Sequence, residues 1–286
     1  MNDNTPRRIL IAAAALAALA SARSDAAVIT VPHGPGTPLQ DAIDAASPGD
    51  LLRLEGGIFN EAVIVDKPLK LTSRTANPAI INGGCGAPSS VEIASDGVTI
   101  DNVAVNGAAE YAVDVVGRAN VKLRWILMQS QCPGAEYGVN VFQSSRVKIL
   151  RCDSVDFTDA GFYIGGIAAG AGVQVSKGSA QLNVRGVLLE DSSPGLRVRG
   201  VRVLNNSLAG IFVRNTDGAL VAGNEVTGNP TGIALDGTSD ENRIKGNRLS
   251  DNGVDGDDQG TGNCWRGNRN PTGAALTGTI PATGCP

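Results

Sequence analysis

The stretch GIFVRNTDGALVAGNEVTGNPTGIAL, residues Gly210 to Leu235, begins twice in the same way: a glycine, then residues that alternate between apolar and other. Between the two starts come a turn, a second short alternating run, a Gly-Asn pair and a third run. Alternation with period two is the mark of a strand, and a restart after twenty-odd residues is the mark of a solenoid. Comparable starts stand at Val91, Ala112, Gly138, Gly172, Gly210 and Gly232, at spacings of 21, 26, 34, 38 and 22 residues. A constant strand frame with loops of variable length accounts for that spread, because insertions are tolerated only where they leave the stacking intact. Alternation puts Ile211 and Val213 inward, Phe212 and Arg214 outward, and Asn224 at a bend. Asn224 and Asn247 suit a ladder of carboxamides bonded from coil to coil, and Cys152 matches Asn224 by its offset from the coil start.

Composition agrees with one large domain. Of 286 residues 42% are hydrophobic but only 3% aromatic, and 37 are glycine, so the core is built from small aliphatic side chains. The N-terminal MNDNTPRRILIAAAALAALASARSDA has paired arginines, an apolar run and small-residue cleavage sites after Ala22 and Ala26, the pattern of a secretory signal peptide over residues 1–26. The run is shorter than the roughly 20 residues of a transmembrane anchor. Removing 1–26 leaves 21 basic against 26 acidic residues, a net charge of −5, which is not the balance of a nucleic-acid binder. Five cysteines follow the leader and would meet an oxidising compartment, secreted or periplasmic. Cys264 and Cys285 bracket an irregular tail, and Cys85 and Cys132 each precede a coil start by six residues; these are the expected disulfides. The absence of a CxxC or Cys/His cluster argues against structural zinc.

The coils resemble the right-handed parallel β-helix proteins, the pectate-lyase-like group, over roughly residues 28–263. The segment TPLQDAIDAASPGDLLRLEGGIFNEAVIVDKPLKL resembles that group's first coil: an amphipathic helix, a Pro-Gly-Asp turn, a strand, then Gly-x-Phe-x-Glu. The resemblance implies an all-β right-handed solenoid over 27–263, a short N-terminal helix capping the open end, and a tail, 264–286, capping the other. Thr37 is the expected N-cap, with Leu39, Ala42, Ile43 and Ala46 facing the stack. The repeats also resemble those of periplasmic β-helix proteins associated with copper-site maturation, although one histidine and two methionines leave few soft ligands. The Asp-Pro-His-Asp signature of alginate epimerases of this fold is absent.

The resemblance implies that a polysaccharide, an acidic one, lies along one sheet between long loops. The only histidine, His33, precedes the solenoid, so serine–histidine catalysis and a histidine-based copper site lack their residues. Outward positions on the first strand of each coil are expected at Glu92, Asp114, Asn140 and Gln174, continuing to Phe212 and Ala234, with Tyr111, Tyr137 and Tyr163 beside them as rings for sugar faces. The inserts Gln129–Tyr137 and Asp156–Ala171 are expected to wall the groove. A uronide lyase or C5-epimerase needs a cation for the carboxylate and a group to move the adjacent proton. Lys177 or Arg214 suits the first role and Tyr137 or Tyr163 the second, while Glu92 and Asp114 can share a calcium ion with an oxygen of Asn140. A hydrolase would instead use Glu92 and Asp114 as its carboxylate pair. The competing class is a non-catalytic carbohydrate-binding or structural surface solenoid. Arg185, Arg197, Arg199 and Arg202, with Arg214, form a basic surface able to hold an anionic polymer or to guard a strand edge. Asp251, Asp255, Asp257 and Asp258 crowd a glycine-rich segment that suits a flexible exit turn better than a calcium loop.

Overall fold

A computed structural model describes residues 26–73, 78–281 and 285; the leader lies almost wholly outside the described residues. The chain winds as a right-handed parallel β-helix of about eleven turns, each coil giving one strand to each of three parallel sheets of eleven, ten and nine strands. In the opening stretch these are Ala209–Thr216 in the ten-stranded sheet, Leu220–Ala222 in the eleven-stranded sheet and Glu225–Thr227 in the nine-stranded sheet. Inward residues form columns: Val91, Val113, Val139, Phe162, Val187, Ile211 and Ile233 pair in one register and are fully buried. Each such side chain contributes about 1.5–3 kcal/mol by leaving water.

The glycine that opens a coil is there for space. Gly138, Gly161, Gly186, Gly210 and Gly232 are equivalent, and a Cβ on Gly210 would lie 2.5 Å from Val226 Cγ1 and 2.6 Å from the Gly232 carbonyl oxygen. Beneath this position runs an amide ladder, Asn183–Asn206–Asn229–Asn252, in which each Nδ2 donates to the next Oδ1 at 3.0–3.1 Å. The expected ladder through Asn224 and Asn247 continues to Asn268, with both steps at 2.9 Å. Asn242 and Asn263 make another. Cys152 is the buried free thiol, and the pairing of Asp153 with Ser179, Arg202 and Glu225 places it level with Asn224.

Both ends are closed. Leu39 and Ile43 of the helix Pro38–Ala45 are fully buried against the first coils. Thr37 makes no capping bond from its side chain; the helix N-terminus is instead capped by Glu61 of the Gly-x-Phe-x-Glu motif, whose two carboxylate oxygens accept from the amides of Leu39 and Gln40 at 2.9 Å each. A carboxylate satisfies two orphan amides and the helix dipole, where a hydroxyl satisfies one. At the far end, Trp265, Leu276 and Ile280 pack on the core, and a disulfide joins Cys264 to Cys285. The acidic segment expected as a flexible turn is the strand Val254–Asp258, and its acids anchor the tail: Asp255 accepts from the Thr277 amide, and Asp258 from the Trp265 indole at 2.7 Å.

Between the starts at Gly138 and Gly210 the chain makes two coil starts, neither of them at Gly172. The coils there start at Gly161 and Gly186, within Ala160–Gly165 and Arg185–Ser192, so part of the expected insert Asp156–Ala171 is itself a strand. The run after Gly172, Gln174–Ser176, belongs to the eleven-stranded sheet, between Lys148–Leu150 and Arg197–Arg199. More than one alternating run lies in each coil, and the run around Gln174–Ser176 has the look of a coil start.

Candidate functional site

The outward ladder of the ten-stranded sheet runs Glu92, Asp114, Asn140, Tyr163, Leu188, Phe212, Ala234. Glu92, Asp114 and Asn140 therefore adjoin on successive coils, as expected, and Tyr163 takes the place expected for Gln174. Asn140 Nδ2 donates to Asp114 Oδ1 at 2.7 Å. That turns an amide hydrogen, not an oxygen, toward the carboxylate pair. Desolvation, with Glu92 adding repulsion, raises the Asp114 carboxyl above the usual range despite this bond.

Tyr111, Tyr137 and Tyr163 meet on this face and stack on one another, with ring centroids 5.6 and 4.6 Å apart. Their faces are spent on each other, which leaves chiefly edges for a sugar. Tyr137 Oη donates to Asp159 Oδ2 at 3.1 Å, and Asp159 is ion-paired with Arg185. Arg214 is ion-paired with Glu190 on the preceding coil. Burial first, then Glu110, Glu136 and Asp114, pushes the Tyr111 phenol up to about 12. Burial and Asp159 likewise raise Tyr137, and burial and Asp191 raise Tyr163. This face thus holds protonated phenols among carboxylates, with both of its arginines engaged. The Cys85–Cys132 disulfide links loops from coils next but one and closes the Gln129–Tyr137 insert beside it.

Lys177 and Gln174 are elsewhere. They belong to the outward face of the eleven-stranded sheet and its corner, where side-chain charge is of the opposite sign. One row of that face carries Lys70, Lys122, Lys148, Arg197 and Arg243. The row two residues on carries Arg53, Arg124, Arg199, Lys245 and Arg266, and its single acid, Asp101, is paired with Arg124. The plainest cues in the sequence for this face are Lys-Leu-Arg at 122–124, Arg-Val-Arg at 197–199 and Arg-Ile-Lys at 243–245. Between the cations, Ser176, Gly200, Ala222 and Gly223 are small and leave a trough lined by Lys148, Gln174, Lys177 and Arg199. It continues past Lys245 and Arg266 in one direction and toward Trp125, Arg151 and Arg202 in the other.

Soft metal donors do not gather. His33 is exposed over Gly57 near the N-terminus, Met128 and Cys152 are buried in the core, and burial pushes the Cys152 thiol up to about 12, protonated. The other four cysteines are in disulfides, and no group of three or more His, Cys, Asp or Glu able to hold a metal ion exists among the described residues. Nor is any described helix long and apolar enough to cross a membrane.

No curated protein sequence matches the chain. Solved structures that it resembles include pectate lyase Pel9A (12% identity, 92% of this chain and 82% of that one, TM-score 0.50). Two others are the Azotobacter vinelandii mannuronan C-5 epimerase AlgE4 A-module (13%, 84% and 88%, 0.54) and ORF18 of Geobacillus virus E2 (13%, 83% and 61%, 0.56). At such identities the likeness is one of fold alone. The family model described as periplasmic copper-binding protein (NosD) matches residues 77–279, well over half of the chain. The chain belongs to the NosD family, although its described His, Cys and Met side chains do not fit a copper site.

Proposed function

We propose that this is a periplasmic or secreted protein that binds an acidic polysaccharide, without cleaving it, along the cationic face of the eleven-stranded sheet. The two cation rows carry the proposal. Successive coils repeat every ~4.8 Å, so the rows offer charge at multiples of that step along the solenoid axis, with uncharged coils between, as a polyuronate offers carboxylates along its chain. The ten-stranded face offers an anionic polymer mainly carboxylates, because Arg185 and Arg214 are already neutralised by Asp159 and Glu190. Binding to polygalacturonate, alginate and a sulfated glycosaminoglycan, with dextran as the neutral control, tests this reading by calorimetry. Acidic polymers bind, affinity falls with added salt, and Lys148→Glu with Arg199→Glu abolishes binding. Equal binding of dextran, or indifference to the charge reversals, overturns it.

A second reading keeps chemistry on the ten-stranded face, as a uronide lyase or C5-epimerase. It is favoured by the Tyr137–Asp159–Arg185 contacts and the raised Asp114 carboxyl, with Glu92 and Asp114 as the place for a calcium ion. Tyr137 or Tyr163 would then give a proton rather than take one, since both phenols are held protonated. Ultraviolet absorbance from unsaturated sugar ends, and proton exchange at the uronate in heavy water, with calcium or chelator, report the two reactions. Silence in both leaves the binding function.

A further inference from the structure

We propose that the corner row Trp125, Arg151 and Lys177 is a subsite for a single anionic pyranose, carboxylated or sulfated, at one end of the cationic trough. The proposal rests on the polysaccharide-binding reading and gives it a defined address. The three residues are equivalent. Each stands between a strand of the eleven-stranded sheet and one of the nine-stranded sheet, and their amides donate to Leu150, Ser176 and Arg199 of the next coil. All three have left-handed backbone, φ 53°, 55° and 55°. That conformation suits glycine and asparagine and disfavours large side chains. The neighbouring coils obey the rule: Asn102 precedes the row, and Gly200, Gly223 and Gly246 follow it, all with φ between 57° and 63°. Three consecutive departures toward large, charged or aromatic side chains mark a place where a surface group is retained against the preference of the turn.

The side chains form a coherent site. Trp125 is 52% exposed, and the Arg151 guanidinium lies over its ring at 4.4 Å. The guanidinium is held over the ring, and its donors can reach a carboxylate or sulfate. The adjoining depression is lined by Gly178 and Gly200, with room for a side chain left vacant at Gly200, and Lys177 and Arg202 border it. Asp153 is the one acid there; Ser179 Oγ donates to its Oδ1 at 2.5 Å, and its other oxygen can accept from a sugar hydroxyl. A ring to pack on, cations for the anionic group and an acceptor for a hydroxyl together describe a sugar acid better than a phospholipid surface.

Trp125 is also the reporter. The only other tryptophan, Trp265, is 8% exposed with its indole nitrogen bonded to Asp258, so ligand-dependent changes in emission come from Trp125. Titration with oligogalacturonates, sulfated oligosaccharides and neutral maltooligosaccharides should shift emission with the acidic ligands only. Trp125→Asn, Arg151→Asn and Lys177→Asn restore the residue the turn prefers. Each should raise Tm by about 1–4 °C and weaken acidic-oligosaccharide binding, measured by calorimetry, about tenfold. A structural role gives the opposite pair of results, lower Tm with unchanged affinity, and refutes the subsite. Anionic phosphatidylglycerol vesicles that shift Trp125 and displace the oligosaccharide no better than neutral vesicles support it; stronger binding of the vesicles than of any sugar overturns it. If acidic polymers bind with Trp125 unperturbed, the subsite fails and the cationic face stands. If none binds, both fail.

Discussion

Replacing Asn206 by alanine tests whether the amide ladder, rather than the aliphatic columns alone, holds the coils in register. The Asn206 side chain is 1% exposed and makes four hydrogen bonds. Its Oδ1 accepts from the amide and the Nδ2 of Asn183, both at 3.1 Å, while its Nδ2 donates to the Ala180 carbonyl at 3.2 Å and to Asn229 Oδ1 at 3.0 Å. In Asn206→Ala, Asn229 Oδ1 keeps the Asn206 backbone amide at 2.9 Å, and Asn183 Nδ2 keeps a long contact with the Ser154 carbonyl at 3.5 Å. The Asn183 amide and the Ala180 carbonyl lose these partners in a dry interior. At about 1–3 kcal/mol for each buried group left without a partner, the loss is about 2–6 kcal/mol. Asn252, at the partly exposed end of the same ladder, has water as a substitute, so Asn252→Ala should cost about 1 kcal/mol. Urea unfolding followed by far-ultraviolet circular dichroism compares the two. Equal losses, or a loss at Asn206 below about 1 kcal/mol, would refute the ladder as a source of stability.

Gly210→Ala should destabilise by about 1–3 kcal/mol through contact with Val226 and the Gly232 carbonyl, against no more than a few tenths for Gly34→Ala, where nothing lies within 4 Å; thermal unfolding separates them. Cys85→Ser with Cys132→Ser opens a loop with a sequence separation of 47, which chain entropy sets at about 4 kcal/mol, measured as a lowered urea midpoint. Ultraviolet titration of the phenols should show no tyrosine ionising at the ordinary midpoint near 10, since all three are raised; one that does removes the carboxylate-lined environment inferred for that ring. Asp114 has a raised folded-state carboxyl, so the folded chain holds this proton more tightly than the unfolded one. Its ionisation opposes folding above the folded value, and that cost disappears as pH falls through it. Asp114→Asn should therefore be the more stable protein at pH 7, with the difference shrinking toward the acid side; a constant difference would refute the assignment.

The fold was legible because its signal is repeated. Period two in every coil, a glycine at each start from Gly138 to Gly232 and asparagine at the bends are all demanded by backbone geometry, so they recur and can be aligned. Ile211 and Val213 inward, Asn224 in a ladder and Cys152 at the same level followed directly. Register failed between Gly138 and Gly210, where GFYIGG and RGVLLEDS are the true starts and GVQVSKG imitates one. That slip displaced Gln174 by a whole sheet. The site was legible only in part, because alternation distinguishes inside from outside but not which of three outer faces a residue occupies. Tyr111, Tyr137, Tyr163, Glu92, Asp114, Asn140 and Arg214 share one face, whereas Lys177 is on another. The pairing of Arg185 with Asp159 and of Arg214 with Glu190 depends on neighbours a coil away, which spacing along the chain does not reveal.

Net charge misleads in such a molecule. With more acidic than basic residues, the chain as a whole should repel a polyanion. In a parallel stack, however, equivalent positions lie above one another, so a preference for lysine or arginine at one position becomes a row along one face. The cationic rows and the carboxylates around the tyrosines belong to different sheets enclosing one aliphatic core. Packed sheets lie ~10 Å apart, before outward side chains add their own length, whereas the Debye length at physiological ionic strength is ~8 Å. A polymer on one face is therefore largely screened from the charges of the other. Low salt should weaken this separation and let the distant carboxylates be felt, yet it strengthens the nearer cations more. Affinity for an acidic polymer should thus rise steadily as salt is lowered, even though the protein and its ligand carry net charge of the same sign.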